Sequence, residues 1–148
     1  MIIGPYCDWI VKLFVPSFPS RQNQNLPHMS TVLVTRTEEI LNHHVSAFVE
    51  TDLDEIMKDY TERSELLTPQ GSVSGLDAIR SWFGEIFKIA PKGSTLDVKQ
   101  TLIRDNVAYI VWAGESSFVS IPFGVDTFIM ENDKILYQCL GAQIVPKQ

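Results

Sequence analysis

The feature that most constrains the fold is a change of hydrophobic period in the second half of the chain. From about residue 96 onward, apolar and polar residues tend to alternate, which is typical of strands with one buried face. The pairs Asp105-Asn106 and Asn132-Asp133 are turn formers at hairpin positions. We therefore predict an antiparallel meander with strands at 96–103, 107–114, 118–130 and 135–145.

Helical patterns precede these strands. Thr35 and Glu38 have the spacing of a capping box and predict a helix start, after a short β-prone lead at 32–34. Apolar residues then recur about every four positions. This stripe places His44 toward the core and His43 toward solvent.

Two further capping patterns follow. Asp52 with Glu55 predicts a short second helix, and Ser74 with Asp77 predicts a third. A brief extended run at 64–68 separates them. Helices followed by a meander predict an α+β fold, because the apolar face of the sheet must be buried under the helices. The enclosed concave space is typical of a small-molecule pocket.

The length of the chain favours a single domain. At 148 residues it has room for one hydrophobic core. We expect residues 1–30 to be a flexible or non-native extension and residues 31–148 to form the domain. Prolines and charged residues interrupt the apolar stretch at 1–18 before it reaches the roughly 20 residues of a membrane span. No membrane association is expected.

Charge and composition exclude several classes of partner. The net charge of −6 and the absence of a basic stripe argue against nucleic acid. Cys7 and Cys139 are far apart and predict neither a disulfide framework nor a metal cluster, which favours a cytoplasmic location. With only His28, His43 and His44 available, and with no metal or nucleotide motif, we expect no cofactor.

A series of short motifs resembles the SnoaL-like and ketosteroid-isomerase-like branch of the nuclear transport factor 2-like superfamily. Their order and spacing cover about residues 35–143. The resemblance implies a cystatin-like α+β roll, in which a cone-shaped, strongly curved antiparallel sheet packs against three N-terminal helices. The motifs are Thr51-Asp52-Leu53-Asp54, Thr68-Pro69, Ser74-Gly75, Ala78-Ile79-Arg80-Ser81-Trp82-Phe83, Val125-Asp126-Thr127-Phe128 and Lys134-Ile135.

The catalytic positions of those isomerases carry over only in part. The two oxyanion-hole positions match His44 and Asp126, whereas the position of the base matches Thr68. Because a threonine hydroxyl cannot take a carbon-bound proton at neutral pH, the familiar isomerisation is not expected. The Asp-Arg-Asp set of the related epoxide hydrolases is also missing, since the late strands contain no inward arginine.

The candidate site follows from these matches and from strand alternation. Matching the strands places Val111 and Glu115 on the inward face beside Asp126, and burial among apolar residues would then raise the pKa of Glu115. The catalytic candidates are His44, Asp126 and Glu115. The ligand-binding candidates are Tyr60, Thr68, Trp82, Phe83, Val111, Phe128 and Gln138.

Each candidate also has a structural interpretation. His44 is equally consistent with a hydrogen-bonded core histidine, and Asp126 with a structural carboxylate. Glu115 lies near a strand end, where such residues are often solvated, and aromatic residues at helical spacing often belong to the core.

Two functions are favoured at this point, and a protein-interaction scaffold is the remaining class. One is a ligand-binding domain for a small apolar or amphipathic molecule, with no assured catalysis. The alternative is an isomerase, cyclase or lyase that transfers a proton next to a carbonyl. We also expect a homodimer through the outward sheet face, which the alternation assigns to Ile110, Trp112 and Thr127.

Overall fold

The computed structural model describes the backbone of residues 27–148 and the side chains from residue 31 onward. The expectations for Cys7 and for the side chain of His28 lie outside the described residues, as does most of the extension predicted at 1–30; residues 27–30 are the first residues of α1. Within the described part the chain forms three helices and six strands. They are α1 (Pro27–Val49), α2 (Leu53–Met57), β1 (Glu65–Thr68), β2 (Gly71–Ser74), α3 (Leu76–Ile89), β3 (Thr95–Arg104), β4 (Val107–Glu115), β5 (Val119–Glu131) and β6 (Lys134–Pro146).

The six strands form one open sheet in the order β2-β1-β6-β5-β4-β3. The predicted meander of β3 to β6 is confirmed, and so is the α+β class. The sheet is mixed rather than wholly antiparallel, because β1 pairs with β6 in parallel. This follows from the chain path: after β1 the chain forms β2 and α3, enters the meander at the far edge, and returns beside β1.

The hairpin turns of the meander are formed as the sequence predicts. Asp105, Asn132 and Asp133 have φ angles of 50°, 50° and 61°. Short polar residues tolerate this left-handed conformation because their side chains bond locally to the backbone. The turns at 105–106 and 132–133 therefore set the register of two of the three hairpins in the meander.

The predicted start of the first helix is wrong. Thr35 lies inside α1, where its hydroxyl donates to the carbonyl of Thr31 at 3.0 Å. The β-prone lead at 32–34 is helical as well. The β-branched residues there indicated a strand only weakly, and such local propensities are overridden when a segment lies in a packed helix.

The two later helix starts differ in how well the capping pattern worked. For α2 the pattern is confirmed, since Asp52 Oδ1 accepts the backbone N–H groups of Asp54 and Glu55 at 3.1 and 3.0 Å. For α3 it is wrong: Ser74 ends β2, and Gly75 with φ 83° occupies the cap position without a side-chain bond. The Leu76 N–H instead donates to the Glu62 carboxylate at 3.3 Å, a partner fourteen positions away.

The hydrophobic core lies between the helices and the concave face of the sheet. Helix α1 lies against β3 and β4, and α3 lies against α2 and β2. Register shifts in β3, β4, β5 and β6 interrupt the ladders, as bulges do where a sheet bends. The largest fully buried apolar side chains are Phe83, Phe128, Ile56, Leu66, Ile79 and Ile135.

The predicted facing of β4 is wrong by one residue. Ile110 lies opposite Asp126 in the ladder, so Ile110 is on the concave side with it. Tyr109 and Val111 therefore lie on the outer face, with Thr127. Because side chains alternate along a strand, a slip of one residue in matching two strands reverses every assignment.

Candidate functional site

A cavity of about 220 Å³ lies between α1, α3 and the concave face of the sheet. Its walls are mostly apolar, and buried polar side chains reach it from both sides: His44 from α1, and Asp126 and Gln138 from the sheet. Among the apolar lining residues are Val45, Phe48, Trp82, Phe83, Ile86, Ile110, Trp112, Phe128, Leu140 and Ala142.

Asp126 is the carboxyl group at the centre of the sheet wall. It lies on β5 and is only 8% exposed. Its Oδ2 accepts from the Gln138 amide nitrogen at 2.9 Å, and its Oδ1 accepts from the Trp112 indole nitrogen at 3.3 Å. Burial raises the pKa of Asp126, although both hydrogen bonds and the nearby His44 oppose the rise. The neutral carboxylic acid is therefore favoured more than at an exposed aspartate.

The Gln138 amide extends this network away from the cavity. Its oxygen accepts a short hydrogen bond from the Tyr60 hydroxyl, while its nitrogen donates to Asp126. The pKa of Tyr60 is raised well above its usual value, first by burial and then by the charges of Asp59 and Asp126. Tyr60 thus stays protonated as a donor. It does not line the cavity but supports Asp126 through Gln138.

Trp112 reaches Asp126 across a glycine. Gly124 is its ladder partner on β5, and a Cβ atom at that position would overlap the indole ring. The missing side chain is what lets the ring lie against the strand. A glycine inside a strand is the sequence signal for such a close approach, and the sequence interpretation did not use it.

His44 lines the opposite wall and is 4% exposed. Its ring meets those of Tyr60, Phe83 and Phe128 edge-on, with centroid distances of 5.8, 5.9 and 5.1 Å. The structure therefore brings His44 and Asp126 to one cavity, with His44 also packed in the core. The sequence predicted either a pocket residue or a core histidine, and the surroundings of His44 include both the cavity and the aromatic core.

Asp59, which the sequence interpretation missed, lies behind His44. It follows α2, is 6% exposed, and has Oδ2 at 3.5 Å from His44 Nδ1. Its other carboxylate oxygen is 2.7 Å from Nδ1 of His43, a residue whose side chain is 43% exposed. The only local signal was a charged residue next to Tyr60, within the predicted second helix, which was expected to run to Tyr60 but ends at Met57. The contact itself depends on how α2 packs against α1.

Glu115 lies at the rim of the cavity rather than inside it. It is exposed and is bound by the Lys147 ammonium and the Ser120 hydroxyl. These partners lower the pKa of Glu115, Lys147 having the larger effect. The predicted rise in its pKa is wrong, because the carboxylate meets solvent and a cation instead of an apolar wall.

Two other sequence candidates are placed away from the cavity. The Thr68 hydroxyl is used in the turn between β1 and β2, where it donates to the Gly71 carbonyl at 2.8 Å and accepts from the Gln70 N–H at 3.2 Å. Val111 lies on the outer sheet face, for the register reason given above. Of the remaining candidates, Trp82, Phe83, Phe128 and Gln138 line the cavity.

Two further observations concern residues 27–148. No three histidine, cysteine or acidic side chains among residues 31–148 are grouped so as to hold a metal ion. No helix among the residues described has both the length and the apolar character needed to cross a membrane.

Comparison with solved structures identifies the fold. An NTF-2-like protein of unknown function from Burkholderia xenovorans matches with a TM-score of 0.65 and 15% identity, over 76% of this chain and 86% of that one. A proposed ketosteroid isomerase from Kribbella flavida matches with a TM-score of 0.65 and 12% identity, over 78% and 83%. A proposed polyketide cyclase from Sinorhizobium meliloti matches with a TM-score of 0.62 and 15% identity, over 70% and 94%.

Sequence comparison alone gives no such match: no family model matches this chain, and neither does any curated protein. The similarity to these solved structures thus lies in the path of the backbone. The resemblance inferred from the short motifs is confirmed at the level of fold, and the chain adopts the nuclear transport factor 2-like fold.

Proposed function

We propose that this protein binds a small, largely apolar molecule whose oxygen atom is recognised by Asp126. The observation that carries this proposal is a buried carboxyl group in an apolar cavity, held by Trp112 and Gln138 instead of by a cation. A carboxyl group buried in this way is unfavourable for folding unless its polar atoms are satisfied. Such a group is a common feature of sites that fix the orientation of an apolar ligand.

The network favours recognition of an oxygen acceptor. Both oxygens of Asp126 already accept hydrogen bonds, from Trp112 and Gln138, and the raised pKa of Asp126 favours its neutral form. A neutral carboxyl group also carries an O–H that must donate a hydrogen bond. The Trp112 and Gln138 nitrogens cannot accept it, since both are themselves donors to Asp126. A carbonyl or hydroxyl oxygen of a ligand in the cavity would accept it.

Binding can be tested by the fluorescence of Trp82 and Trp112, which both line the cavity. Small cyclic ketones are titrated beside hydrocarbons of the same shape. In Asp126→Leu we expect the ketone affinity to fall about tenfold and the hydrocarbon affinity to stay nearly constant, because only the ketone loses a hydrogen bond. The matched control Asp97→Leu, on exposed β3, should change neither. Equal losses for both ligands, or no binding at all, would refute the proposal.

A second function, proton transfer next to a carbonyl, is supported by one specific arrangement. His44 and Asp126 line the same cavity from opposite sides. A base on one side of a ligand and a neutral acid on the other is the pairing that enolate chemistry requires. Isomerase, cyclase and lyase reactions all use it, and solved structures of this fold include a proposed ketosteroid isomerase and a proposed polyketide cyclase.

The test of this second function is hydrogen–deuterium exchange at the carbon next to the carbonyl of a bound ketone. Exchange followed by NMR in heavy water should be accelerated by the protein and should be lost in His44→Ala. The ketone must still bind to that variant for the result to count. Exchange that is unchanged in His44→Ala would place the base elsewhere.

The oligomeric state and the compartment are proposals too. We propose a homodimer through the outer sheet face and a cytoplasmic location. The original assignment of Ile110 and Trp112 to that face is wrong, yet the corrected face is also apolar: it carries Tyr109 and Val111, and Leu102 is 53% exposed there. Such a face is favourable for self-association.

A further inference from the structure

Two buried polar atoms of the site have no hydrogen-bond partner. They are Nδ1 of His44 and Oδ2 of Asp59, and they lie 3.5 Å apart. A buried polar atom without a partner is unfavourable, and here two such atoms face each other across 3.5 Å. The distance is slightly longer than that of a typical hydrogen bond.

The chemistry of the pair defines where the proton belongs. A carboxylate oxygen only accepts, so Nδ1 must donate if the two atoms are to satisfy each other. If the proton were on Nε2 instead, a nitrogen lone pair would face a carboxylate oxygen at 3.5 Å inside the core. We propose that Asp59 is a positioning residue, which holds the proton of neutral His44 on Nδ1 and so presents an unprotonated Nε2 to the cavity.

The surroundings of Asp59 restrict its carboxylate to this role. His43 Nδ1 occupies Oδ1 at 2.7 Å, which leaves Oδ2 for His44. The backbone carbonyl of Asp59 accepts from the Ile135 N–H at 2.8 Å, so the residue is tied to β6 on the other side. Its orientation is therefore set from two directions.

The groups around the two histidines complete the electrostatic picture. His43 Nε2 lies 3.3 Å from the Glu55 carboxylate, at the surface. His44 has Asp59 behind it and shares the cavity with Asp126. A positive charge formed on His44 would thus lie between two buried carboxyl groups, and Asp59 would stabilise it most directly.

The consequence for catalysis rests on the proposed proton transfer. His44 Nε2 takes a proton from the carbon of a bound ketone, and the electron pair of that C–H bond becomes part of an enolate. The doubly protonated ring then donates through Nδ1 to Asp59 until Nε2 returns its proton to the ligand. No atom is lost or gained in this cycle. The position of the proton in the resting protein does not depend on any ligand.

The first test is the ¹⁵N NMR spectrum of the histidine rings in the full chain, at a pH where the spectrum shows a neutral His44 ring. His43→Gln and His44→Gln assign the signals. We expect His44 Nδ1 to carry the proton, and Asp59→Ala to abolish that preference. The control Asp54→Ala removes an exposed carboxylate of α2 that pairs with Arg80, and should leave the preference intact. A proton on Nε2 in the unmodified protein would overturn the inference, even if Asp59→Ala does not fold.

The second test uses Asp59→Asn, which keeps the size of the side chain and removes its charge. We expect the exchange rate of a bound ketone to fall about tenfold or more while its dissociation constant stays the same, since the variant changes the base and not the cavity. The role of Asp59 and the proposed function can be refuted independently. A correct proton position without ketone binding refutes the proposed function alone, and ketone exchange with the proton on Nε2 refutes the role of Asp59 alone.

Discussion

The indole nitrogen of Trp112 lies 3.3 Å from Oδ1 of Asp126, so an aromatic side chain of the cavity wall directly holds the buried acid. Trp112 and Asp126 come from neighbouring strands, and the concave face of the sheet carries both. Any change that moves the ring should therefore alter the pKa of the Asp126 carboxyl group as well, because the indole hydrogen bond lowers that pKa. The packing of one side chain and the protonation of another are linked at this point.

The first prediction concerns the pH dependence of stability. The pKa of Asp126 is raised above its ordinary value of 3.8. Its contribution to stability is therefore fully present below pH 3.8 and is lost as the pH rises through the folded-state pKa. Asp126→Asn does not titrate, so the unfolding free energy of the variant minus that of the original protein should increase across this range. Urea denaturation at several pH values measures it.

The control variant is Asp133→Asn, for which the stability difference should change with pH in the opposite direction. The pKa of Asp133 is lowered, mainly by its hydrogen bond with Arg36. A lowered pKa gives stability that is present above the unfolded value and is lost as the pH falls. Asp133→Asn should therefore become less stable relative to the original protein as the pH rises. A pH-independent difference for Asp126→Asn would contradict the assignment of a raised pKa.

The second prediction is that Gly124→Ala destabilises the protein and displaces Trp112. The new methyl group would overlap the indole, and such overpacking costs about 1–3 kcal/mol. Denaturation and tryptophan fluorescence would report the two effects. Gly141→Ala is a matched control on β6, because a Cβ atom there has no neighbour within 4 Å. Equal effects of both substitutions would show that strand conformation, and not the ring, is responsible.

The third prediction is that Tyr60→Phe weakens the network behind Asp126. Without the Tyr60 hydroxyl, the buried oxygen of Gln138 loses its donor, and an unsatisfied buried acceptor costs about 1–3 kcal/mol. The loss should appear in the unfolding free energy. Tyr109→Phe, on the outer face, provides the comparison and should be nearly neutral. If both variants were equally stable, the hydrogen bond of Tyr60 would contribute little.

The fourth prediction tests self-association. The chain has a mass of 16.7 kDa, so light scattering should show a species of twice that mass at micromolar concentration. Val111→Glu should dissociate it, because a charge in the middle of a buried apolar face is unfavourable. Asn42→Glu adds the same charge on the exposed side of α1 and should not. A monomer under all conditions would refute the dimer.

Features that depend on neighbours in sequence were largely predictable. The strands of the meander, the turns at 105–106 and 132–133, and the cap formed by Asp52 all result from interactions within a few residues. The same holds for the inward position of His44, since a helical stripe requires only spacing. The capping pattern nevertheless gave two wrong helix starts. At Thr35 the helix had already begun at Pro27, and near Ser74 the carboxylate of Glu62 binds the first turn of α3 instead.

The amino-acid sequence by itself determined the class of fold and two of the polar groups that line the cavity, His44 and Asp126. Only the tertiary structure decided the parallel pairing of β1 with β6, the facing of β4 and the pairing of Asp59 with His44. The physical reason is distance along the chain. Spacing patterns record which face a residue shares with its neighbours, whereas register and contacts between elements depend on how separate segments pack.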